Sequence, residues 1–545
     1  MSMPTFSESF NLVDYFLFER LSEGNGERIA IRFGDRAYRY DEVADKSLAF
    51  MNALVAGGVR RGERVLIVLH DVPPFAWAIM GTFARGAVVA MGNPDAPIEN
   101  IRYLLDYTRA TALVTHPGIA AAIVLQARSG AMASELQRIF VVPDVATGDD
   151  AEGAVNAVDD PLVVSLTRAL GEAPDYARPA VHRDEPAMWL FTSGSTGEPK
   201  ANVHSHRDFA YNTEVYAKGT VGYREGDVSV SVPRLFFGYA TGTNLFFPFA
   251  VGGTSCLFSE RPTPESVARA VEMYRPTIVT NVPTMIGKLL DHDEMLRGDG
   301  KKGLDWSSVR FSLSAGEALP EALLQRWQAR VASDIYDGIG SAEMFHIYAS
   351  NRPGDVRPGS LGKVVDGYEL RVLPESADGP GAAPCAPGDI GVLWVKGDSV
   401  SHGYWLDRDR SWKTFHGHWC RTGDLFHIDE SGYLYFAGRA DDLLKVGGQW
   451  VAPLEVEACL MRHESVASVA VIGVEQEGLL KTKAYVVLRP GFSATDALAH
   501  QLQEWARARL AKYKYPRVIE FVADLPKNDR GKVDKKALRS RELAS

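Results

Sequence analysis

Thr192, Ser193, Ser195 and Thr196 lie side by side with Gly194 and Gly197, and Lys200 follows. Hydroxyls, freely turning glycines and a cation in one short run can hold an anion. Successive backbone N–H groups in a glycine-rich turn form a concave nest for phosphate, and a lysine adds a point charge. A Walker loop would need Gly-Lys-Ser/Thr opening a helix. Here Pro199 precedes the lysine; it has no N–H and biases Glu198 away from helical geometry. The run therefore reads as a flap over a polyphosphate, with an ordinary Ser/Gly surface turn as the plain alternative. A second arrangement, His416, His418 and Cys420, has the types but not the number of a zinc site, because no fourth ligand stands at suitable spacing.

The elements that must position these residues follow from periodicity. The apolar run Met188-Trp189-Leu190-Phe191 reads as a buried strand leading into the loop. Upstream, "RVLIVL", "GAVVAM" and "ALVTH" read as strands alternating with the helical patterns "PFAWAIMGTFARG" and "IENIRYLLDYT". This rhythm predicts doubly wound α/β layers. Residues 143–186, rich in Asp, Ala, Gly and Pro, read as a surface excursion. From 360 to 438 the pattern is mostly strand, and from about 442 a last block carries its own helices and strands, enough for a small α+β domain.

Composition narrows the function classes. A chain of 545 residues exceeds one ordinary domain, and 46% apolar content suffices for more than one core. The net charge of −10 argues against nucleic acid or an anionic membrane as the main partner. Four scattered cysteines make no disulfide framework and suit a reducing cytoplasm. The N-terminus lacks the pattern of a secretory signal, and the most apolar stretch carries Arg85 in its middle.

"TSGSTGEPK" resembles the phosphate loop of the acyl-adenylate-forming superfamily, which includes acyl-CoA synthetases, luciferases and peptide-synthetase adenylation domains. Four further stretches resemble its other motifs in order: "YDGIGSAEM" (336–344), "RTGDL" (421–425), "GRADDLLKVGGQWVAPLEVE" (438–457) and "LPKNDRGKVDKKAL" (525–538). The resemblance implies a large α/β N-terminal domain over 1–438, doubly wound with a β-rich subdomain. It also implies a hinge at 439–442 around Asp441 and a mobile α+β C-terminal domain over 443–545. It implies ATP, Mg2+ and coenzyme A as reactants, and an acyl-AMP intermediate with release of pyrophosphate.

Residue by residue, the resemblance places the β- and γ-phosphates on Thr192–Lys200 and Mg2+ on Glu343. The adenine lies along Gly316-Glu317-Ala318 and Asp337-Gly338-Ile339, and the ribose on Asp424 with Arg439 near it. Lys532 is the catalytic cation of adenylation. Lys445, Gly447, Gly448 and Trp450 line the pantetheine tunnel, with Tyr513 on CoA, although the basic residue expected two positions on is Tyr515. One further departure stands out: the family's threonine before the motif glutamate is Ala342, and Ser341 is the neighbouring hydroxyl that could substitute.

"VPRLFFGYATGTNLFFPF" resembles the acyl-pocket segment of benzoate-type CoA ligases. Phe236, Phe237, Tyr239 and Ala240, with Gly338, Phe345 and His346, would wall a small aromatic acid such as benzoate, hydroxybenzoate or aminobenzoate. His346, three residues after Glu343, is expected to share a helix face with it. Core packing is the plain alternative for each aromatic. Two rival functions remain: an adenylation enzyme loading a carrier-protein pantetheine, and a non-catalytic nucleotide-binding protein. The chain is expected to be a cytoplasmic monomer or homodimer that uses neither nucleic acid nor membrane.

Overall fold

The structure, a computed structural model, describes residues 3–130, 135–143, 158, 160–193, 198–317, 319–439, 444–446, 449–476, 479–526 and 533–544. The chain divides into two compact units, Met1–Glu369 with Val395–Cys420, and Leu370–Trp394 with Arg421–Ser545.

The first unit is built on two sheets. One runs Val163–Ser165, Arg138–Val141, Ala110–Thr115, Arg64–Val68, Val88–Met91, Pro186–Ser193, Pro199–Ser205. Its strands are parallel except for the last pair, an antiparallel hairpin. The central strands Val88–Met91 and Ala110–Thr115 are buried along their whole length. Burial on both faces accounts for their continuous apolar runs. The helices Pro74–Arg85 and Ile98–Thr108 fall where the sequence pattern puts them. Pro74–Arg85 ends on Gly86 in the left-handed conformation, as a helix stop with glycine should. The edge strand Val163–Ser165 and the helix Leu166–Glu172 give structure to part of the stretch read as a surface excursion.

The other sheet has nine strands. Six lie parallel: Ile29–Phe33, Thr254–Leu257, Val228–Ser231, Ile278–Asn281, Phe311–Ser314 and Asp334–Gly340. Antiparallel strands flank them: Arg36–Arg39 at one edge, Ile347–Ser350 and Lys363–Val364 at the other. The Ala342–Met344 turn after Asp334–Gly340 and the acyl-pocket segment after Val228–Ser231 thus follow the C-terminal ends of parallel strands. Open α/β sheets form their ligand crevices at such ends.

In the second unit, Trp419–Ile428 pairs antiparallel with Leu434–Arg439. A three-stranded sheet, Val466–Gln476, Leu479–Leu488 and Val518–Phe521, packs with the helices Pro453–Met461 and Asp496–Arg507 around Val456, Leu460, Val471, Val486 and Leu502. The architecture is therefore a large α/β body with doubly wound layers and a smaller α+β C-terminal portion.

Candidate active site

The phosphate-loop candidate is the end of a hairpin. Thr192 faces Lys200 and Ser193 faces Pro199 across the antiparallel pair. Gly194, Ser195, Thr196 and Gly197 lie outside the described residues. A strand, not a helix, follows the loop, consistent with the barrier Pro199 sets. Lys200 Nζ lies 2.6 Å from Asp407 Oδ2. The other oxygen of Asp407 accepts from the Arg410 amide at 3.2 Å and caps the helix Arg408–Thr414. Burial opposes ionisation of Asp407, but the Lys200 contact and the Arg410 amide outweigh it and hold the carboxyl below its ordinary range.

Glu343 sits in a tight reversal, not on the helix expected from sequence. Ala342–Met344 makes one 3₁₀ turn, and Phe345 follows at φ 68°, ψ −58°. The His346 amide donates to the Met344 carbonyl at 2.9 Å, closing a γ-turn of the rare positive-φ form. The reason is topological: Asp334–Gly340 and Ile347–Ser350 pair antiparallel, leaving no room for a longer helix between them. His346 therefore does not share a helix face with Glu343.

Each carbonyl of this turn is held. Ala342 O accepts from His204 Nε2 at 2.6 Å, Glu343 O from the Ser401 amide at 2.9 Å, and Met344 O also from Ser399 Oγ at 2.9 Å. The Glu343 carboxylate accepts from the Tyr404 hydroxyl at 2.8 Å. Burial, then the Glu343 charge, pushes the Tyr404 phenol far above its ordinary value, so it stays a donor. Ser341 Oγ, beside the alanine that replaces the expected threonine, is buried with no hydrogen-bond partner among the described residues.

The acyl-pocket aromatics fall into two groups, Phe236 with Phe237 and Tyr239 with His346 and Phe345. Phe236 and Phe237 lie half-buried with ring centroids 4.3 Å apart. Ala240 is fully buried, and the Tyr239 ring lies 5.2 Å from His346. His346 Nε2 donates to the Tyr239 carbonyl at 3.1 Å. Burial depresses this imidazole to about 3, so it is neutral at physiological pH. Its Nδ1 and the Tyr239 hydroxyl take no partner among the described residues. Phe345 packs into the interior, 4.4 Å from Phe209. Gly338 pairs with Ser350 in the strand Asp334–Gly340; a Cβ there would stand 2.8 Å from the Ala349 carbonyl oxygen.

Of the adenine candidates, Gly316 takes φ +90° in the turn after Phe311–Ser314, and Glu317 accepts from the Thr284 hydroxyl at 2.8 Å. Ala318 lies outside the described residues. Asp337 is buried in its strand with Ile339 two positions on, and burial pushes its carboxyl up to about 7.

In the second unit, Asp424 and Arg439 are cross-strand partners, with Arg439 Nε 3.4 Å from Asp424 Oδ1. Lys445 and Trp450 face each other in the hairpin Leu444–Val446/Gln449–Val451. Tyr513 packs against the core of the small sheet. Asp441, Gly447, Gly448 and Lys532 lie outside the described residues. No helix among the described residues is long and apolar enough to cross a membrane.

Sequence reasoning did not single out Tyr404, Asp407, His204 or Asp208. Asp407 had one local signal, an acidic residue opening the short helix Arg408–Thr414. Asp208 had one too, the capping box Ser205-x-x-Asp208; Tyr404 and the Nε2 contact of His204 reach partners distant in sequence.

The AMP-binding enzyme family matches residues 18–405, and the AMP-binding enzyme C-terminal domain matches residues 455–532. A benzoate–CoA ligase of Thauera aromatica is 38% identical over 98% of this chain and 96% of its own length. A 4-hydroxybenzoate–CoA/benzoate–CoA ligase of Rhodopseudomonas palustris is 34% identical over 98% of this chain and 94% of its own. Among solved structures, the anthranilate CoA ligase AuaEII in complex with anthranoyl-AMP superposes with a TM-score of 0.87 at 33% identity, covering 99% of this chain and 98% of that one. With the phosphate-loop hairpin, the Glu343 turn and the small C-terminal sheet all inside the matched length, the chain belongs to the AMP-binding enzymes.

Proposed function

We propose that the protein is an AMP-forming aryl-CoA ligase. A small aromatic carboxylate attacks the α-phosphorus of ATP, expelling pyrophosphate and leaving an acyl-AMP. The CoA thiolate then attacks the acyl carbon, forming the thioester and expelling AMP. The observation that carries this reading is the presence, in one unit, of a held acidic turn at Glu343 and of the aromatic contacts Tyr239–His346 and Phe236–Phe237. The activities of two relatives, benzoate–CoA and anthranilate–CoA ligation, support the same substrate class.

Charge control is the main task in the first step. Lys200 and the Thr192–Gly197 loop are assigned to the leaving pyrophosphate, and Lys532 to the developing charge at the α-phosphate. Asp424 is assigned to the ribose hydroxyls, since an ionised carboxylate accepts from both. Mg2+ fits at Glu343. One Glu343 oxygen is engaged by Tyr404, and a single carboxylate completed by phosphate oxygens is the donor set this ion favours. When bound, it would neutralise phosphate charge. Ser341, with its unpartnered buried hydroxyl, is assigned the α-phosphate contact that Ala342 cannot make.

The test is a panel of benzoate, hydroxybenzoates, aminobenzoates, acetate and palmitate, assayed for AMP and pyrophosphate release with CoA or with a pantetheine-bearing carrier protein. Aromatic acids with CoA should lead by kcat/KM. A ranking led by acetate or palmitate overturns the substrate class, and release of ADP overturns the adenylate chemistry. Phe236→Ala should lower benzoate kcat/KM by about 1–3 kcal/mol through lost ring packing.

A further inference from the structure

We infer that the buried His204–Asp208 pair has the task of positioning Glu343, acting through the Ala342 carbonyl. His204 ends the strand Pro199–Ser205 and Asp208 lies in the first turn of the helix His206–Asn212, so the two side chains meet one helical turn apart. Both are buried, His204 at 0% and Asp208 at 2% exposure. His204 Nδ1 lies 2.9 Å from Asp208 Oδ2, and Nε2 lies 2.6 Å from the Ala342 carbonyl. A carbonyl only accepts, so His204 Nε2 donates to Ala342. Asp208 is in turn fixed by the Ser205 amide at 3.0 Å and the Ser205 hydroxyl at 2.5 Å. The Phe209 ring, 5.6 Å from His204 edge-on, closes the pair from solvent.

Stability alone is a poor account of this pair. A buried ion pair contributes little over an apolar replacement, because desolvation offsets the attraction. What the pair does supply is one N–H donor held in a fixed place. That donor is spent on the peptide that leads into Glu343. The peptide plane between Ala342 and Glu343 sets where the Glu343 Cα, and hence its carboxylate, stands. Neutral donors hold the next two carbonyls, from Ser401 and Ser399. Ala342 has no side-chain donor or acceptor to anchor the turn itself, so the anchor comes from His204 through the backbone. His204 is a positioning residue in this scheme and touches no reactant. The inference rests on the reading of Glu343 as the carboxylate of the nucleotide–metal site, and the experiment separates the two.

His204→Leu, His204→Gln, His204→Asn and Glu343→Gln are made in the full chain. Two quantities are read: acid-dependent ATP–pyrophosphate exchange, and retention of Mn2+ in the presence of ATP, followed by the electron-spin signal of free Mn2+. His204→Leu should lower the exchange kcat and weaken Mn2+·ATP retention, each about 10-fold or more. KM for the aromatic acid and thioester formation from supplied acyl-AMP should stay within about twofold of the native values. His204→Gln still presents an N–H toward the Ala342 carbonyl and should recover most of both losses. His204→Asn, one methylene shorter, should not. Should the leucine variant not fold, the Gln–Asn comparison decides, and equal behaviour of those two overturns the proposal. A folded leucine variant with native Mn2+ retention, or with both half-reactions slowed alike, also overturns it. Unchanged Mn2+ retention in Glu343→Gln would instead overturn the reading of Glu343.

Discussion

Tyr404 shows how far a residue's role can lie from its neighbours in sequence. It meets Glu343 from 61 positions away, and Asp407 meets Lys200 from 207 away. Nothing in the stretch "HGYWLDRDR" marks Tyr404 as a partner of Glu343 or Asp407 as a partner of Lys200, although Asp407 carries a helix-start signal. Lys200 and Glu343 were singled out from sequence because their types cluster within motifs. The residues that hold them were not, because tertiary pairing leaves no local pattern. Tyr404→Phe keeps the ring and removes the donor to Glu343. We expect the adenylation kcat to fall about 3–10-fold with little change in thermal stability, since one hydrogen bond to a half-exposed carboxylate is worth about 1–2 kcal/mol. Steady-state kinetics beside a melting curve checks this. Asp337 gives a pH prediction. Its folded-state pKa of about 7 exceeds the ordinary 3.8, so the native state holds the proton more tightly than the unfolded chain. Its contribution to stability is full below pH 4 and is lost as pH rises toward 7. Asp337→Asn should flatten the stability curve between those values, and an unchanged slope in denaturant titrations would refute the assignment.

At the scale of elements, the parallel-sheet rhythm was readable because buried strands show as apolar runs between amphipathic helices. "GAVVAM" and "IENIRYLLDYT" became the strand Val88–Met91 and the helix Ile98–Thr108 with little shift. The division into two sheets was not readable, since strand order depends on pairings such as Ile31 with Ser255. The helix expected after Glu343 failed for a related reason. Its short pattern "AEMFHI" suits a helix locally, yet the antiparallel pairing of Gly338 with Ser350 forces a reversal. The sheet decides here, and the turn accepts an unfavourable conformation at Phe345 that buried aromatic packing must offset. The same crowding makes Gly338 a test of the element. A Cβ 2.8 Å from the Ala349 carbonyl oxygen cannot be accommodated by rotating a side chain. Gly338→Ala should destabilise the fold by about 1–3 kcal/mol and displace the Glu343 turn with it. Chemical denaturation gives the first quantity and pyrophosphate exchange the second. A stable but inactive variant would show that the turn, not the sheet, yields.

At the scale of the whole molecule, the proposed reaction imposes two incompatible demands. Adenylation needs a cation at a site crowded with phosphate charge, and thioester formation needs a narrow path for a thiol arm to the same acyl carbon. We assign the first demand to Lys532 and the second to Gly447-Gly448, all in the C-terminal portion of the chain. We propose that this portion presents them in turn, pivoting near Asp441, so that each half-reaction has its own arrangement. Lys532→Ala should cut acyl-AMP formation about 100-fold or more by removing a charge from the transition state. It should leave thioester formation from supplied acyl-AMP nearly intact. Gly447→Leu should do the reverse, since a branched side chain would fill the space a thin arm requires. Asp441→Pro fixes the backbone φ at the pivot and should slow the thioester step more than adenylation. Single-turnover measurement of each half-reaction on the three variants decides the matter. If Lys532→Ala slows both steps equally in a folded protein, the two arrangements are not needed, and one arrangement must serve both reactions.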